Sequence, residues 1–274
     1  MKAYALTDIG KMRKVNQDAQ FASTEPVGEL SNLFVVADGM GGHQAGDFAS
    51  RYLIEHMPEY IKESGENEPV AALRKGIEAV NQELYSLSCE REELAGMGTT
   101  LVAALFTEDT MYVVNVGDSR LYHMAQGLPI QVSHDHSLVQ HLVDSGKLTL
   151  AEARRYPGRN VITRCIGAEP NIAADVFLVP LCREGGYVLL CSDGLTNELS
   201  VQTLYDTVTG RDDRAPCTSA QLAARVGALI ALANEAGGGD NITALVAWYE
   251  PQAQRRSDTL APAMPVGAPS GENN

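Results

Sequence analysis

Four short segments set an aspartate against a glycine, either at the end of a hydrophobic run or immediately before one. They are LFVVADGMGGH (33–43), MYVVNVGDSR (111–120), YVLLCSDGL (187–195) and GGGDNITALVAWY (237–249). One such aspartate is an ordinary turn residue, because Asp and Gly both favour turns. Four with the same arrangement are much less expected by chance and raise the chemistry of a carboxylate set, though spacing alone does not bring them together. Two carboxylates about 4 Å apart repel by roughly 4 kcal/mol at an effective dielectric near 20, so a cluster must either take up protons or hold cations. Oxygen-only ligands suit Mg²⁺ or Mn²⁺ better than Zn²⁺ or copper. A glycine beside the aspartate leaves a backbone carbonyl open as a further ligand. A fifth segment, TDIGKMRKVNQD (7–18), carries Arg13 five positions before Asp18. A planar guanidinium can hold two phosphate oxygens at once; taken alone, Arg13 reads as a solvated surface charge.

The elements that must position these residues alternate between short apolar runs and amphipathic stretches. Runs 2–7, 33–37, 100–106, 111–116, 187–191 and 242–248 have strand length and composition. Stretches 44–62, 69–87, 137–145, 149–155 and 218–235 have helical periodicity, with Ser200 and Thr218 as N-caps and a capping box from Thr149 to Glu152. Strands and helices do not alternate strictly: two helices follow Ala45, strands follow one another after Thr99, and helices return after Asp135. That order favours α+β layers with antiparallel sheets over a doubly wound parallel sheet. The polar segment 144–170, with Arg154, Arg155, Arg159 and Arg164, reads either as a surface connection or as a flap that meets substrate. From Pro251 onward the composition turns to Gln, Arg, Ser, Pro, Ala and Gly without periodicity, as in a disordered tail.

Bulk properties exclude several function classes. A formal net charge of −14 repels nucleic-acid backbones and anionic membranes. The apolar stretches are too short to span a bilayer, and the N-terminus meets Asp8 before any signal-like run develops, so a cytoplasmic chain is expected. The 5 cysteines contain no CxxC pair, which argues for reduced thiols and against a zinc site or disulfide scaffold.

Together, RKVNQD, DGMGGH, GTT, GDSR, SDGL and GGGDNIT, in this order and at these separations, resemble the PPM family, the protein phosphatase 2C-like metal-dependent serine/threonine phosphatases. The match runs from about residue 4 to 249, and the DGMGGH form is similar to bacterial members. The resemblance implies a four-layer α-β-β-α sandwich around two antiparallel sheets, with residues 1–250 as the catalytic domain. It implies two tightly bound Mn²⁺ or Mg²⁺ ions: Asp38 bridges them, Gly39 lends its carbonyl, and Asp193 and Asp240 hold the other metal. Asp18 orders metal-bound water. Asp118 is similar to the ligand of a third, weaker metal that shares Asp193 and that a flap residue near Asn160 can approach. Arg13 holds the phosphoryl group while a metal-bridging water attacks phosphorus in line, and His43 matches the general acid for the leaving oxygen. His134 and His136 in SHDHS read as structural, Cys191 as core, and Gln17 departs from the acidic residue of some members.

The implied activity is hydrolysis of phosphoserine and phosphothreonine in proteins by a monomer, opposing a Ser/Thr kinase. A non-catalytic regulator of the same fold would lack a ligand, and none is missing from the sequence. A phosphohydrolase for nucleotides or small esters is the third reading.

Overall fold

The structure, a computed structural model, describes residues 1–42, 45–214 and 217–251. His43, expected as a general acid, and almost all of the segment read as a disordered tail therefore lie outside the described residues.

Two antiparallel sheets form the centre. The first runs β1 (Lys2–Asp8), β11 (Ile242–Tyr249), β10 (Gly186–Cys191), β7 (Arg120–Ala125), β8 (Leu128–Gln131). The second runs β2 (Asp18–Ser23), β3 (Leu33–Met40), β5 (Leu101–Phe106), β6 (Thr110–Val116), β9 (Asp175–Pro180), with β4 (Gly98–Thr99) paired to β3. Helices α1 (Ala45–Ser64) and α2 (Pro69–Glu90) cover the second sheet. Helices α5 (Asp193–Thr196), α6 (Val201–Thr209) and α7 (Ser219–Ala236) cover the first. Helices α3 (Leu138–Asp144) and α4 (Leu150–Ala153) sit in the long connection between β8 and β9.

The period-2 alternation of strand side chains divides the core into layers. On β3, Leu33, Val35 and Ala37 pack under α1 and α2, while Phe34 and Val36 face the other sheet. On β11, Ile242, Ala244, Val246 and Trp248 pack under α7, while Leu245, Ala247 and Tyr249 face inward. Strands buried on both faces read as unbroken apolar runs, which is why the sequence marks them clearly. The result is the expected four-layer α-β-β-α sandwich of the α+β class.

Sequence reading missed β2, β4, β7, β8, β9, α5 and α6, for physical reasons. Strand β7 (RLYHMA) carries a half-buried arginine and a buried histidine, and β8 (LPIQ) is a largely exposed edge strand with a proline. Helix α6 follows its expected N-cap, since the Ser200 hydroxyl accepts from the Thr203 N–H at 3.1 Å, and it ends at Gly210 in the left-handed region. The capping box of Thr149 and Glu152 and the Thr218 cap are both formed.

Topology, rather than chain proximity, gathers the motifs. Strands β3 and β6 each pair antiparallel with β5, so both run the same way and end at the same edge, delivering Asp38 and Asp118 there. Strands β10 and β11 are antiparallel neighbours, with Cys191 opposite Ala244, so the residues just after β10 meet those just before β11. That brings Asp193 to Asp240. Asp18 opens β2 directly opposite Asp38.

Candidate active site

At this end of the sandwich lies a cavity of about 200 Å³. Arg13, Asp38, Gly39, Asp118, Asn160, Asp193 and Asp240 line it, together with Gln17, Met40, Gly41, Ile162 and Asn241. Every expected site residue among the described ones is thus at this cavity, except Asp18, which lies just behind it.

Each carboxylate is held by its backbone surroundings. The GTT turn brackets Asp38: its N–H donates to the Thr100 hydroxyl at 2.9 Å, while the Thr100 N–H and the Thr99 hydroxyl donate to its carbonyl. Gly39 has no room for a side chain, since a Cβ there would lie 2.0 Å from the Gly46 carbonyl oxygen. The two glycines thus let the first turn of α1 press directly onto the strand that carries Asp38. Asp118 follows Gly117, whose φ of +100° and contact with Thr100 admit no other residue without strain. Asp193 is the first residue of α5, and the Asn197 amide donates to it at 3.0 Å.

Asp18 crosses between the sheets. Its Oδ2 accepts from the hydroxyls of Ser192 and Thr243, both at 2.7 Å, while its Oδ1 is buried with no partner. The Oδ1 of Asp118 is likewise buried and unpartnered. Burial, and then repulsion from Asp193 and Asp240, pushes the Asp18 carboxyl up to about 7 despite its two hydroxyl donors. Burial and the neighbouring Asp193 push Asp118 up to about 8. Asp38 is raised well above the carboxylate range by burial and by all four other aspartates, and Asp193 is raised by burial and Asp240.

Five carboxylates crowd one place, and two of their buried oxygens lack any donor. That arrangement calls for positive charge, and the all-oxygen donor set fits a hard divalent cation. Among the described residues, no three carboxylate, imidazole or thiol side chains close up into a finished cage. A Mg²⁺- or Mn²⁺-type site that completes its shell with waters and a backbone carbonyl has this looser form.

Arg13 reaches the mouth of the cavity, where one guanidinium nitrogen contacts the Asp240 Oδ2 at 2.7 Å. Its segment is pinned by residues to which sequence reasoning assigned no role. The Asn241 amide donates to the carbonyls of Ile9 and Val15 and accepts from the Gln17 N–H. Asn16 bonds Thr7 through its amide and accepts from the Asp18 N–H. Asn16, Thr99, Thr100 and Asn241 all lie inside the recognised motifs. Ser192 and Thr243 also lie inside recognised motifs, SDGL and GGGDNIT, but their task, holding Asp18, depends on a strand from the other sheet and shows in neither motif alone.

His136 is structural, as expected. Its Nδ1 accepts from the Gly117 N–H at 3.0 Å, which leaves the proton on Nε2, facing the Asp175 Oδ2 at 3.2 Å. Burial keeps its pKa below the usual histidine value. Cys191 is buried in the core, and burial pushes its thiol up to about 12.

Comparison with known proteins gives one consistent result. Residues 11–223 match the family described as protein phosphatase 2C. The chain is 34% identical over 250 residues to the serine/threonine phosphatase stp of Listeria monocytogenes, covering 90% of this chain and 95% of that one. It is also similar to the crystal structure of the serine/threonine phosphatase Stp1 from Staphylococcus aureus, with a TM-score of 0.80, 33% identity, and coverage of 91% of this chain and 95% of that one. A third likeness is to the catalytic domain of the serine/threonine protein phosphatase PstP, crystallised with 2 manganese ions. There the TM-score is 0.75 and the identity 31%, covering 89% of this chain and 96% of that one.

Proposed function

From the premise that this chain belongs to the protein phosphatase 2C family, we propose how its carboxylate cavity performs the work of a metal-dependent protein serine/threonine phosphatase. The protein removes phosphate from phosphoserine and phosphothreonine in proteins. The observation that carries the site reading is the crowding of Asp18, Asp38, Asp118, Asp193 and Asp240, with two buried oxygens unpartnered, beneath a half-exposed Arg13.

Bound Mn²⁺ or Mg²⁺ supplies charge for the phosphoryl oxygens and lowers the pKa of water. Asp38, the Gly39 carbonyl, Asp193 and Asp240 would hold two such ions, and Asp118, with Asn160 nearby, would hold a third and weaker one. Arg13 exchanges its single contact on Asp240 for the phosphoryl oxygens and fixes the substrate for in-line displacement. Asp18, with Oδ2 satisfied by Ser192 and Thr243, keeps Oδ1 free to orient water in the cavity. His43 gives the proton to the departing serine or threonine oxygen. Residues 1–250 form the catalytic domain, and 144–170 act as a flap that brings Asn160 over the cavity. The opposing partner is a Ser/Thr kinase in the same compartment, which we place in the cytoplasm, and the chain acts as a monomer.

The test is phosphate release from a phosphothreonine peptide as Mn²⁺ is titrated from zero, followed by excess chelator, with a nucleotide as the competing substrate. Turnover that needs metal and favours the peptide is expected. Folded protein without turnover at any metal concentration would overturn the reading, and faster nucleotide hydrolysis would redirect it to small esters.

A further inference from the structure

A second and larger cavity, of about 560 Å³, opens beside the first turns of α1. Its floor is Phe48, Tyr52 and Leu94, and its rim carries Asp47, Arg51, Glu55 and Glu93. The two rings stack, with centroids 5.7 Å apart. Arg51 is already neutralised by Asp47 at 2.6 Å. Glu55 and Glu93 are exposed and have neither a hydrogen-bond nor an ion-pair partner among the described residues. The groove therefore combines aromatic faces with two uncommitted negative charges, which is the chemistry that holds a Lys or Arg side chain.

Its place in the fold connects it to the catalytic cavity. Gly39 and Gly41 line that cavity, and both touch the start of α1 at Ala45 and Gly46; the next residue, Asp47, lines the groove. The groove residues of α1 run from Asp47, the neighbour of Gly46, to Glu55, about 12 Å further along the helix. An extended peptide advances about 3.3 Å per residue, so about four residues span the length of the groove, and that span sets the range of positions to test.

We propose that this groove is a specificity subsite for the phosphoprotein substrate, binding a Lys or Arg that lies two to five residues from the phosphorylated serine or threonine. The proposal rests on the phosphatase reading and adds to it which phosphoproteins are preferred.

Two measurements test it. In the first, kcat/KM is compared on phosphothreonine peptides that differ only in having arginine or glutamine at those positions, with p-nitrophenyl phosphate as a substrate too small to reach the groove. The arginine peptides should be favoured by about tenfold, the sum of two exposed charge contacts and a cation–π contact. The Glu55→Gln/Glu93→Gln variant should bring that ratio to within about twofold, with p-nitrophenyl phosphate hydrolysis unchanged. Glu55→Lys/Glu93→Lys should invert the preference toward glutamate-bearing peptides. An equal rate on both peptides, or a ratio that survives the glutamine variant, overturns the proposal.

In the second, calorimetric binding of the unphosphorylated peptides is read without turnover, so it decides the matter even if the protein hydrolyses nothing. Equal binding of the arginine and glutamine peptides overturns the subsite while leaving the phosphatase reading intact. Preferential binding that appears only in an Arg255→Gln/Arg256→Gln variant also overturns it, since the groove would then belong to the chain's own basic segment.

Discussion

Two neighbouring regions use the same residue types to opposite ends. At the cavity, four lining aspartates and Asp18 behind them face, among the described residues, one lining arginine, whose contact to Asp240 joins side chains that are 48% and 29% exposed. Behind Asp118, Arg120 grips Asp135 through three short contacts, and that aspartate is only 5% exposed. Gln131 also donates to Asp135, and nearby Arg164 and His136 both contact Asp175. Burial works against ionisation of Asp175, but the hydrogen bonds from His136 and Arg164 outweigh it and hold that carboxyl below the usual range. Matched charges there fix the turn that delivers Asp118; unmatched charges in the cavity stay ready to take a cation and a phosphate. The difference separates carboxylates that hold the fold from those held in place by it.

Swapping charge in the two regions should break different properties. Asp38→Asn removes the carboxylate most exposed to its neighbours' repulsion, and it should lower phosphate release by a hundred- to a thousandfold or more. The same variant should raise the melting temperature of chelator-treated protein at pH 8, because like-charge crowding is relieved. Near-normal turnover would erase the distinction between the regions.

Asp135→Asn should do the reverse. Breaking a largely buried pair costs about 2–4 kcal/mol, toward the lower side of the usual range because Arg120 retains some solvent. Urea unfolding reads that loss, while turnover per folded molecule in the presence of Mn²⁺ should stay within about fivefold. A thousandfold fall in activity without loss of stability would move Asp135 into the catalytic set.

Arg13→Ala should raise KM about 10- to 100-fold, with a smaller change in kcat, as expected for a lost bidentate grip on phosphate. Arg13→Lys should recover only part of it, because a point charge cannot fork. An unchanged KM would return Arg13 to the surface charge it resembles in isolation.

The smallest effect, and the most diagnostic of unmatched charge, is the dependence of stability on pH in chelator. Asp18 and Asp118 titrate near 7 and 8 in the fold, and Asp38 is raised well above the ordinary carboxylate value, against about 3.9 for an unfolded aspartate. Between about pH 4 and 8 the folded state therefore holds protons that the unfolded state has released. Stability conferred at low pH is lost as pH rises through that window, by about 1.4 kcal/mol per pH unit for each proton held. Thermal melts at pH 5, 6, 7 and 8 should fall in chelator and flatten when Mn²⁺ is added. A rise with pH would show that the carboxylates are already matched.

Much of this was legible from residues alone. The doubly buried strands β3, β5, β6, β10 and β11 announced themselves as apolar runs, and the ordered motifs named the aspartates that line the cavity, because each motif is a local turn whose residue types are fixed by backbone and charge. The sequence also supplied the reason why such carboxylates, once gathered, need a cation. Only tertiary structure decided that the five segments meet, since convergence follows from β3 and β6 running the same way on either side of β5 and from β10 meeting β11 head to tail. It alone also chose the partners that make Asp18 different from Asp175. Ser192 and Thr243 come to Asp18 from the opposite sheet, and His136 and Arg164 come to Asp175 from along the connection that leads into β9. Whether a carboxylate is matched depends on neighbours far away in the chain, and no spacing within a motif records them.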